Sequence, residues 1–211
     1  MIILITMAGE PEKDVLADTY DVNDYESDET EEDAKRPPFD NQFSATRFIV
    51  GLSTQRGFPY ALMGGFAMIP SKRIHGGVIR IFVKTGPGHD SCKDVFEVEV
   101  DIVVADKGYT GPRGSPMNIE SGRETLQFPE PATRKMIAFE VLDLRWLMKT
   151  KMSACSERLA LKDYIDLEYL VTTYTDQVRS FIHELDHEQV DHWLDGLDED
   201  VQKDMRAKLG V

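Results

Sequence analysis

The sequence predicts an α+β fold, in which a small mixed β-sheet flanked by helices is followed by a helical C-terminal part. Apolar residues alternate with polar ones in residues 77–84 and 95–104, which is typical of strands that bury one face. Residues 160–186 instead repeat apolar side chains at helical spacing. The order of a helix, mixed strands and then several helices favours the α+β class.

Length and composition indicate a globular protein with one domain and a tail. The chain has 211 residues, of which 41% are hydrophobic and 29% are charged, and this is enough for one core. The formal net charge of −14 disfavours binding to nucleic acids, because their phosphates would be repelled. Cys92 and Cys155 are too few for a disulfide framework or a four-cysteine metal site.

The predicted domain organisation is an acidic disordered arm over residues 1–38 and a folded domain over residues 39–211. Residues 10–36 contain twelve acidic and three basic residues, and they bury too little apolar surface to offset the entropy of ordering. The arm is expected to be a solvated leader or, alternatively, a tail that binds a partner. Within the folded domain, residues 39–141 are expected to form an α/β core and residues 142–211 the helical part.

The first seven residues are apolar, but a run of this length cannot cross a membrane. No basic residue precedes the run and acidic residues follow it, which argues against a signal peptide. We therefore expect an intracellular protein, cytoplasmic or nuclear, with no membrane partner.

Apolar spacing predicts the remaining elements. One face of a helix over residues 40–57 is indicated by Phe43, Phe48, Ile49 and Leu52. Residues 106–134 are rich in glycine, proline and arginine and are expected to form a long connection, in the manner of a lid over a site. The further elements expected are a strand over residues 136–141 and helices over 142–156, 160–186 and 188–208.

Residues 58–68 contain a short apolar run that ends in Gly64 and Gly65 and then continues apolar. This pattern is typical of a buried strand that turns sharply into a helix. Two glycines let backbone N–H groups approach a bulky anion such as a phosphate. An ordinary tight turn without a ligand is the alternative interpretation.

Residues 96–104 place their apolar side chains on one face of a strand and Glu97, Glu99 and Asp101 on the other. Neighbours on one face of a strand are about 6.5–7 Å apart, so three carboxylates in a row repel one another. They indicate either a cation site or the solvated outer face of a half-buried sheet.

Several segments occur in an order that is found in a known superfamily. They are Tyr60–Ala67, Ile79–Val83, Val98–Ile102, Leu144–Met148 with Lys151, and Arg158 with Lys162–Leu167. This series resembles the nucleotidyltransferase-fold superfamily, in particular the minimal AbiEii-like proteins and their fungal relatives. The resemblance covers about residues 40–185.

The resemblance implies a domain that binds a nucleoside triphosphate through Mg²⁺. The expected reaction is in-line attack of a hydroxyl on the α-phosphate, with two metal ions about 3.5–4 Å apart. The glycine turn would hold the triphosphate, and a carboxylate pair together with a third carboxylate would hold the metals. The matching positions are Gly64 and Gly65 for the turn, Asp101 for the third carboxylate, Lys151 for a base facing phosphates, and Asp163 and Asp166 for recurring acids.

The carboxylate pair that the resemblance requires is missing. Only ten residues lie between Gly65 and Gly76, which span about 15 Å as helix or 33 Å as strand and cannot form both elements. No aspartate or glutamate occurs between Gly65 and Asp90. We therefore expect a degenerate, catalytically impaired nucleotidyltransferase-like protein, in which Glu99 and Asp101 retain weak nucleotide or single-metal binding. Either a shortened paralogue or an error in exon assignment accounts for the missing segment.

Two other classes of function remain open. His183-Glu184-Leu185-Asp186-His187 matches the H-E-x-x-H motif, in which two histidines on one helix hold zinc and the glutamate acts as a base, as in a zinc-dependent hydrolase. A non-catalytic protein-interaction module is the other. Its interacting surface would be the acidic arm and an apolar helical stripe that consists of Phe181, Leu185, Val190, Trp193, Leu194 and Leu197.

Overall fold

The computed structural model describes residues 2–5, 37–63, 78–104, 119–158 and 161–211. The strands are β1 (Ile2–Ile5), β2 (Tyr60–Met63), β3 (Val78–Thr85), β4 (Phe96–Val104), β5 (Arg123–Pro129) and β6 (Met136–Leu142). The α-helices are α1 (Phe39–Gln55), α2 (Leu144–Arg158), α3 (Leu161–Thr173), α4 (Thr175–Phe181), α5 (His187–Asp195) and α6 (Glu199–Leu209). This composition confirms the predicted α+β class.

The strands form one six-stranded mixed sheet in the order β3-β4-β1-β2-β6-β5. Strand β1 lies near its middle, antiparallel to β2 and parallel to β4. The sequence did not predict this strand, because residues 1–38 were assigned to the acidic arm. The structure places residues 2–5 of that arm in the sheet, and the arm's residues 6–36 lie outside the described residues.

The two alternating segments, 77–84 and 95–104, are separated by a turn-rich loop and therefore predict an antiparallel hairpin, which the structure confirms. Strands β3 and β4 pair over their whole overlap, from Val78 opposite Val103 to Thr85 opposite Phe96. One face of this hairpin packs against α1 in a core cluster of apolar side chains. Its buried members are Ala45, Ile49, Tyr60, Val83, Val98 and Val100.

Helix α1 confirms the predicted helix, but its predicted apolar face is only half right. Phe43 and Ile49 are buried, whereas Phe48 and Leu52 are 56% and 42% exposed. The side of α1 that meets the sheet is completed by small residues, Ala45 and Thr46, which are fully buried. Small side chains let the helix approach the sheet closely, and apolar spacing alone does not reveal them.

The long connection predicted over residues 106–134 contains a strand. After a 3₁₀ turn at Ile119–Gly122, β5 pairs antiparallel with β6 and forms one edge of the sheet among the described strands. Residues 105–118, the rest of that connection, lie outside the described residues. At least its second half is therefore part of the sheet rather than a lid.

The C-terminal helices form a second core. Helix α2 packs against α3 and α5, and α6 packs against α3, α4 and α5. The apolar stripe considered as a partner surface lies inside this core, since five of its six side chains are buried and Leu197 packs against them. None of the helices in the described ranges is long and apolar enough to cross a lipid bilayer.

The helix predicted over residues 188–208 is two helices. Helix α5 starts after Asp186, whose carboxylate accepts hydrogen bonds from the backbone N–H groups of Glu188 and Gln189, as an N-cap does. It ends at Gly196, where an added Cβ would lie 2.4 Å from Cε1 of Tyr164. The close approach of the Tyr164 ring requires a glycine at this break.

Candidate functional site

The three carboxylates of β4 differ in burial along the strand. Glu97 is exposed and lies 3.4 Å from Nζ of Lys84, Glu99 is half-buried, and Asp101 is 4% exposed. Asp101 is the first residue of β4 that pairs on both sides, with β3 and with β1. The row of carboxylates is therefore solvated at Glu97 and buried at Asp101.

The register of the sheet aligns Asp101 with the end of β2. Both Asp101 and Met63 are opposite Ile2, so they lie at the same level with one strand between them. Residues opposite in register project from one face, and two strand spacings separate them by about 9–10 Å. Gly64 and Gly65 follow Met63 directly but lie outside the described residues, as does the helix predicted after them.

A two-metal centre does not fit the described residues. The described parts of the two strands beside β4, Val78–Thr85 and Ile2–Ile5, contain no aspartate or glutamate. No group of three or more histidine, cysteine, aspartate or glutamate side chains that could hold a metal occurs in the described ranges. Around β4, the described carboxylate ligands are thus those of β4 itself, of which Glu99 and Asp101 are the less exposed.

Lys151 contacts carboxylates of its own helical core. Its Nζ lies 2.5 Å from Oδ2 of Asp166 and 3.9 Å from Oδ1 of Asp163. Asp163 is buried and Lys151 is largely buried, so the pair joins α2 to α3. The structure thus brings together the predicted phosphate-facing base and the two predicted acids, and the single positive charge of Lys151 faces two carboxylates.

The start of α2 adds a group that sequence reasoning did not assign to the site. Trp146 packs against Ala61, Met63 and Ile119 on the face of the sheet that carries Asp101. The Nζ of Lys149 lies 4.6 Å from its ring centroid and the guanidinium carbon of Arg145 lies 5.7 Å away. Residues three apart on a helix lie on the same surface, so the spacing of Trp146 and Lys149 in the sequence could have predicted this contact.

The H-E-x-x-H motif does not form one helical turn. His183 and Glu184 belong to a 3₁₀ turn, Leu185 is extended, and His187 begins α5. The two histidines therefore do not lie one turn apart on a common helix, as the zinc motif requires. The carboxylate of Glu184 lies 3.3 Å from Lys149 and 3.6 Å from Arg145, which assigns it to the cationic cluster around Trp146.

A small cavity lies at the start of α1, between the loops around Ser91 and Pro131. Its volume of about 50 Å³ is far below the several hundred Å³ of ligand pockets, so it does not fit a nucleotide. Beside it, Asp90 ties the β3–β4 loop to α1. Its Oδ1 accepts from the N–H groups of Gly86 and Cys92, and its Oδ2 accepts from the Ser44 hydroxyl at 2.6 Å.

The Asp90 cluster predicts a pH-dependent stability. Desolvation raises the pKa of Asp90, but the hydrogen bonds from Ser44, Cys92 and Gly86 together outweigh it and hold the pKa below its ordinary value of 3.8. The ionised carboxylate therefore stabilises the fold above pH 3.8, and this contribution is lost as the pH falls through the lower folded-state pKa. We expect Asp90→Asn to cost about 1–2 kcal/mol at pH 7 and progressively less in acid.

Urea unfolding at several pH values measures this difference. The control is Asp94→Asn, which removes the same charge from an exposed side chain of the same loop. An Asp90→Asn cost that is independent of pH, or equal to that of Asp94→Asn, would contradict the expected role of the carboxylate.

Neither family models, nor curated proteins, nor solved structures match this chain. Among the predicted site residues, the described structure brings Asp101 to the level of Met63, which precedes the two glycines, whereas Glu99 lies two residues earlier on β4. The structure places Lys151 with Asp163 and Asp166 between α2 and α3.

Proposed function

We propose that this chain is a degenerate nucleotidyltransferase-like protein that binds a nucleoside triphosphate weakly at the end of β2 and does not transfer nucleotidyl groups efficiently. The observation that carries the proposal is the alignment of Asp101 with Met63 across β1. It puts the best-buried carboxylate of the sheet about 9–10 Å from the strand end that leads into Gly64 and Gly65. A triphosphate held by the turn would lie within reach of Asp101.

Impaired catalysis follows from the small number of carboxylates that could hold metal ions. Two-metal transfer requires ligands that clamp both the attacking and the leaving oxygens. The described residues offer Glu99 and Asp101, on the same strand, and no carboxylate from β1 or β3. Mg²⁺ is commonly held by one or two carboxylates together with substrate phosphates, so one metal ion shared with the nucleotide needs no more than these two.

The surface around Trp146 suits the triphosphate of a nucleotide. Lys149 and Arg145 lie over the indole ring, on the side of the sheet that holds Met63 and Asp101, and their positive charges attract phosphate groups. All nucleoside triphosphates share these phosphates. We therefore expect little discrimination among nucleoside triphosphates.

Asp101→Asn tests the proposal. Titration of a fluorescent ATP analogue in the presence of Mg²⁺ is expected to show weak binding by the wild type and about tenfold weaker binding by this variant, because a metal-binding carboxylate is lost. Glu97→Gln is the matched control, since it removes an exposed carboxylate from the same face of β4. Thermal unfolding of both variants confirms that the fold is intact.

Two outcomes would overturn the proposal. If the affinity of Asp101→Asn for the Mg²⁺-nucleotide complex equals that of the wild type, Asp101 is not part of a nucleotide site. If the wild type transfers labelled nucleotide rapidly to any acceptor, catalysis is not impaired.

A further inference from the structure

The carboxylate of Glu184 lies between two cations of α2. Its Oε2 atom is 3.3 Å from Nζ of Lys149 and 3.6 Å from a guanidinium nitrogen of Arg145. Both distances end on the same oxygen atom, so the two cations converge on one point. Lysine and arginine bind carboxylate and phosphate oxygens in the same way. Glu184 therefore occupies the position that an oxygen of a phosphate group would take beside these two residues.

This position lies beside the strand end at which the proposed nucleotide site begins. Lys149 and Arg145 lie over the ring of Trp146, and this ring packs against Met63, the residue that precedes the two glycines. The side chains of Lys149 and Arg145 are 20% and 37% exposed, so an anion can reach them from solvent. A phosphate group at this position would extend the proposed site from the end of β2 towards α2.

The charges around the ring of Trp146 cancel one another. Arg145 also lies 3.6 Å from a carboxylate oxygen of Asp143, so two cations face two carboxylates. A cluster without net charge attracts an anion only weakly, and the chain as a whole has a formal net charge of −14. Because two anions at one point repel each other, a phosphate group binds these cations only if the carboxylate of Glu184 moves away.

The side chain of Glu184 can move without a change in the backbone. Glu184 is the last residue of the 3₁₀ turn Ile182–Glu184, and its side chain is 35% exposed. The backbone on either side is held by Phe181 and Leu185, which are buried in the helical core. Rotation about the side-chain bonds is enough to turn the carboxylate into solvent. The interactions lost are two partly exposed ion pairs, which stabilise proteins only slightly.

We propose that Glu184 is an internal competitor for the phosphate chain of the nucleotide: its carboxylate occupies Arg145 and Lys149 in the free protein and is displaced when a polyphosphate binds. This competition rests on the proposed function, because it presupposes a nucleotide at the end of β2. A polyphosphate carries several negative charges and the carboxylate carries one, so both cations interact more strongly with the polyphosphate. Glu184 thus lowers the affinity of the site without being part of it.

Glu184→Gln tests the competition, because the amide keeps the size of the side chain and removes its charge. The probes are ATP with Mg²⁺ and inorganic tripolyphosphate without a metal ion. By isothermal titration calorimetry, the variant is expected to bind both probes about threefold to tenfold more tightly than the wild type, the factor that one or two partly exposed ion pairs contribute. The matched control is Glu188→Gln, which removes the same charge from an exposed side chain of α5 and should leave both affinities unchanged.

Lys149→Gln separates the competition from a general effect of charge. This variant is expected to weaken the binding of tripolyphosphate, because one of the two cations is lost. In the double variant Lys149→Gln/Glu184→Gln, the gain from removing the carboxylate should fall to about twofold or less, because the carboxylate no longer blocks a lysine. A gain of the same size with and without Lys149 would mean that Glu184 acts only through the net charge of the protein, and the competition would be refuted.

The outcomes for Asp101 and Glu184 distinguish the competition from the proposed function. If Asp101→Asn weakens the binding of ATP with Mg²⁺ but Glu184→Gln binds both probes like the wild type, the nucleotide site stands and the competition is refuted. If Glu184→Gln binds tripolyphosphate more tightly while Asp101→Asn leaves ATP binding unchanged, the displacement of Glu184 is supported and the nucleotide site is refuted. Equal gains in Glu184→Gln and Glu188→Gln would also contradict the competition.

Discussion

Trp193→Ala is expected to lower the free energy of unfolding by about 3–5 kcal/mol, the cost of removing a large aromatic side chain from a packed core. Trp193 is the largest fully buried side chain among the described residues. It lies on α5, in the core that joins α2 to α6. The loss is therefore expected to destabilise all of the C-terminal helices together.

Trp193→Phe separates the effect of losing the ring volume from the effect of losing the indole N–H group. The Nε1 atom of Trp193 is buried and donates to no acceptor in the described part of the chain. Phenylalanine keeps most of the packing and removes this N–H group, whose burial without a partner costs about 1–3 kcal/mol. The loss of unfolding free energy caused by Trp193→Phe should therefore be less than half the loss caused by Trp193→Ala.

Urea unfolding followed by far-ultraviolet circular dichroism measures both variants, because it does not depend on the tryptophan that is removed. Trp146, which is half-buried on α2, remains as a local fluorescence probe. A loss below about 1 kcal/mol for Trp193→Ala would mean that the helical core is not packed as described.

The parts of the fold that the sequence predicted are those set by local pattern. Alternation of apolar and polar residues identified β3 and β4, and their separation by a glycine-rich loop identified the hairpin. The apolar spacing of residues 160–186 predicted a core face, and it is right for Leu167, Leu170 and Val171. The same spacing also assigned Leu161 and Ile165 to that face, and these two side chains are exposed. These signals lie within about ten residues of one another.

Strand β1 could not be predicted because its evidence is non-local. Four apolar residues carry no alternation, and the strands that pair with β1 lie at residues 60–63 and 101–104. The alignment of Asp101 with Met63 depends on that strand and is equally invisible in the sequence. Composition also misled the prediction, since the acidic residues that follow β1 suggested one continuous arm from residue 1.

The sequence predicted which residues belong to the site, but it did not predict how they are buried or which neighbours they contact. Asp101 and Glu99 were identified from their positions on one face of a strand, whereas their unequal burial follows from where β1 begins to pair with β4. Lys151 matched a phosphate-facing base, but two carboxylates on α3 lie close to its ammonium. A spacing rule identifies the face of a helix and cannot identify which neighbouring element covers it.

Gly86→Ala is expected to cost about 3–5 kcal/mol, because it combines backbone strain with a collision against the main chain. Gly86 has a φ of +106°, a conformation that side chains rarely adopt. A Cβ at this position would lie 2.5 Å from the carbonyl oxygen of Asp94 and 2.7 Å from Cα of Val95. Since these are backbone atoms, the substitution must displace the start of β4 or the end of β3.

The displacement would break a buried contact as well. The carbonyl oxygen of Asp94 accepts a hydrogen bond of 2.8 Å from Nδ2 of Asn41, which is 2% exposed and also donates to the hydroxyl oxygen of Thr85. A shift of Asp94 leaves this amide without one of its acceptors, which adds about 1–3 kcal/mol to the strain. The effect thus extends from the loop to the attachment of α1.

Gly88→Ala is the matched control for Gly86→Ala. Gly88 has a φ of +93° in the same loop, but a Cβ there would meet no atom within 4 Å. It should cost only the strain of the conformation, about 1–2 kcal/mol. Thermal unfolding of the two variants therefore isolates the collision with Asp94, and equal losses would show that the loop yields without disturbing Asn41. Such a result would contradict the tight junction between the β3–β4 loop and α1, which holds the hairpin carrying Asp101 against its helix.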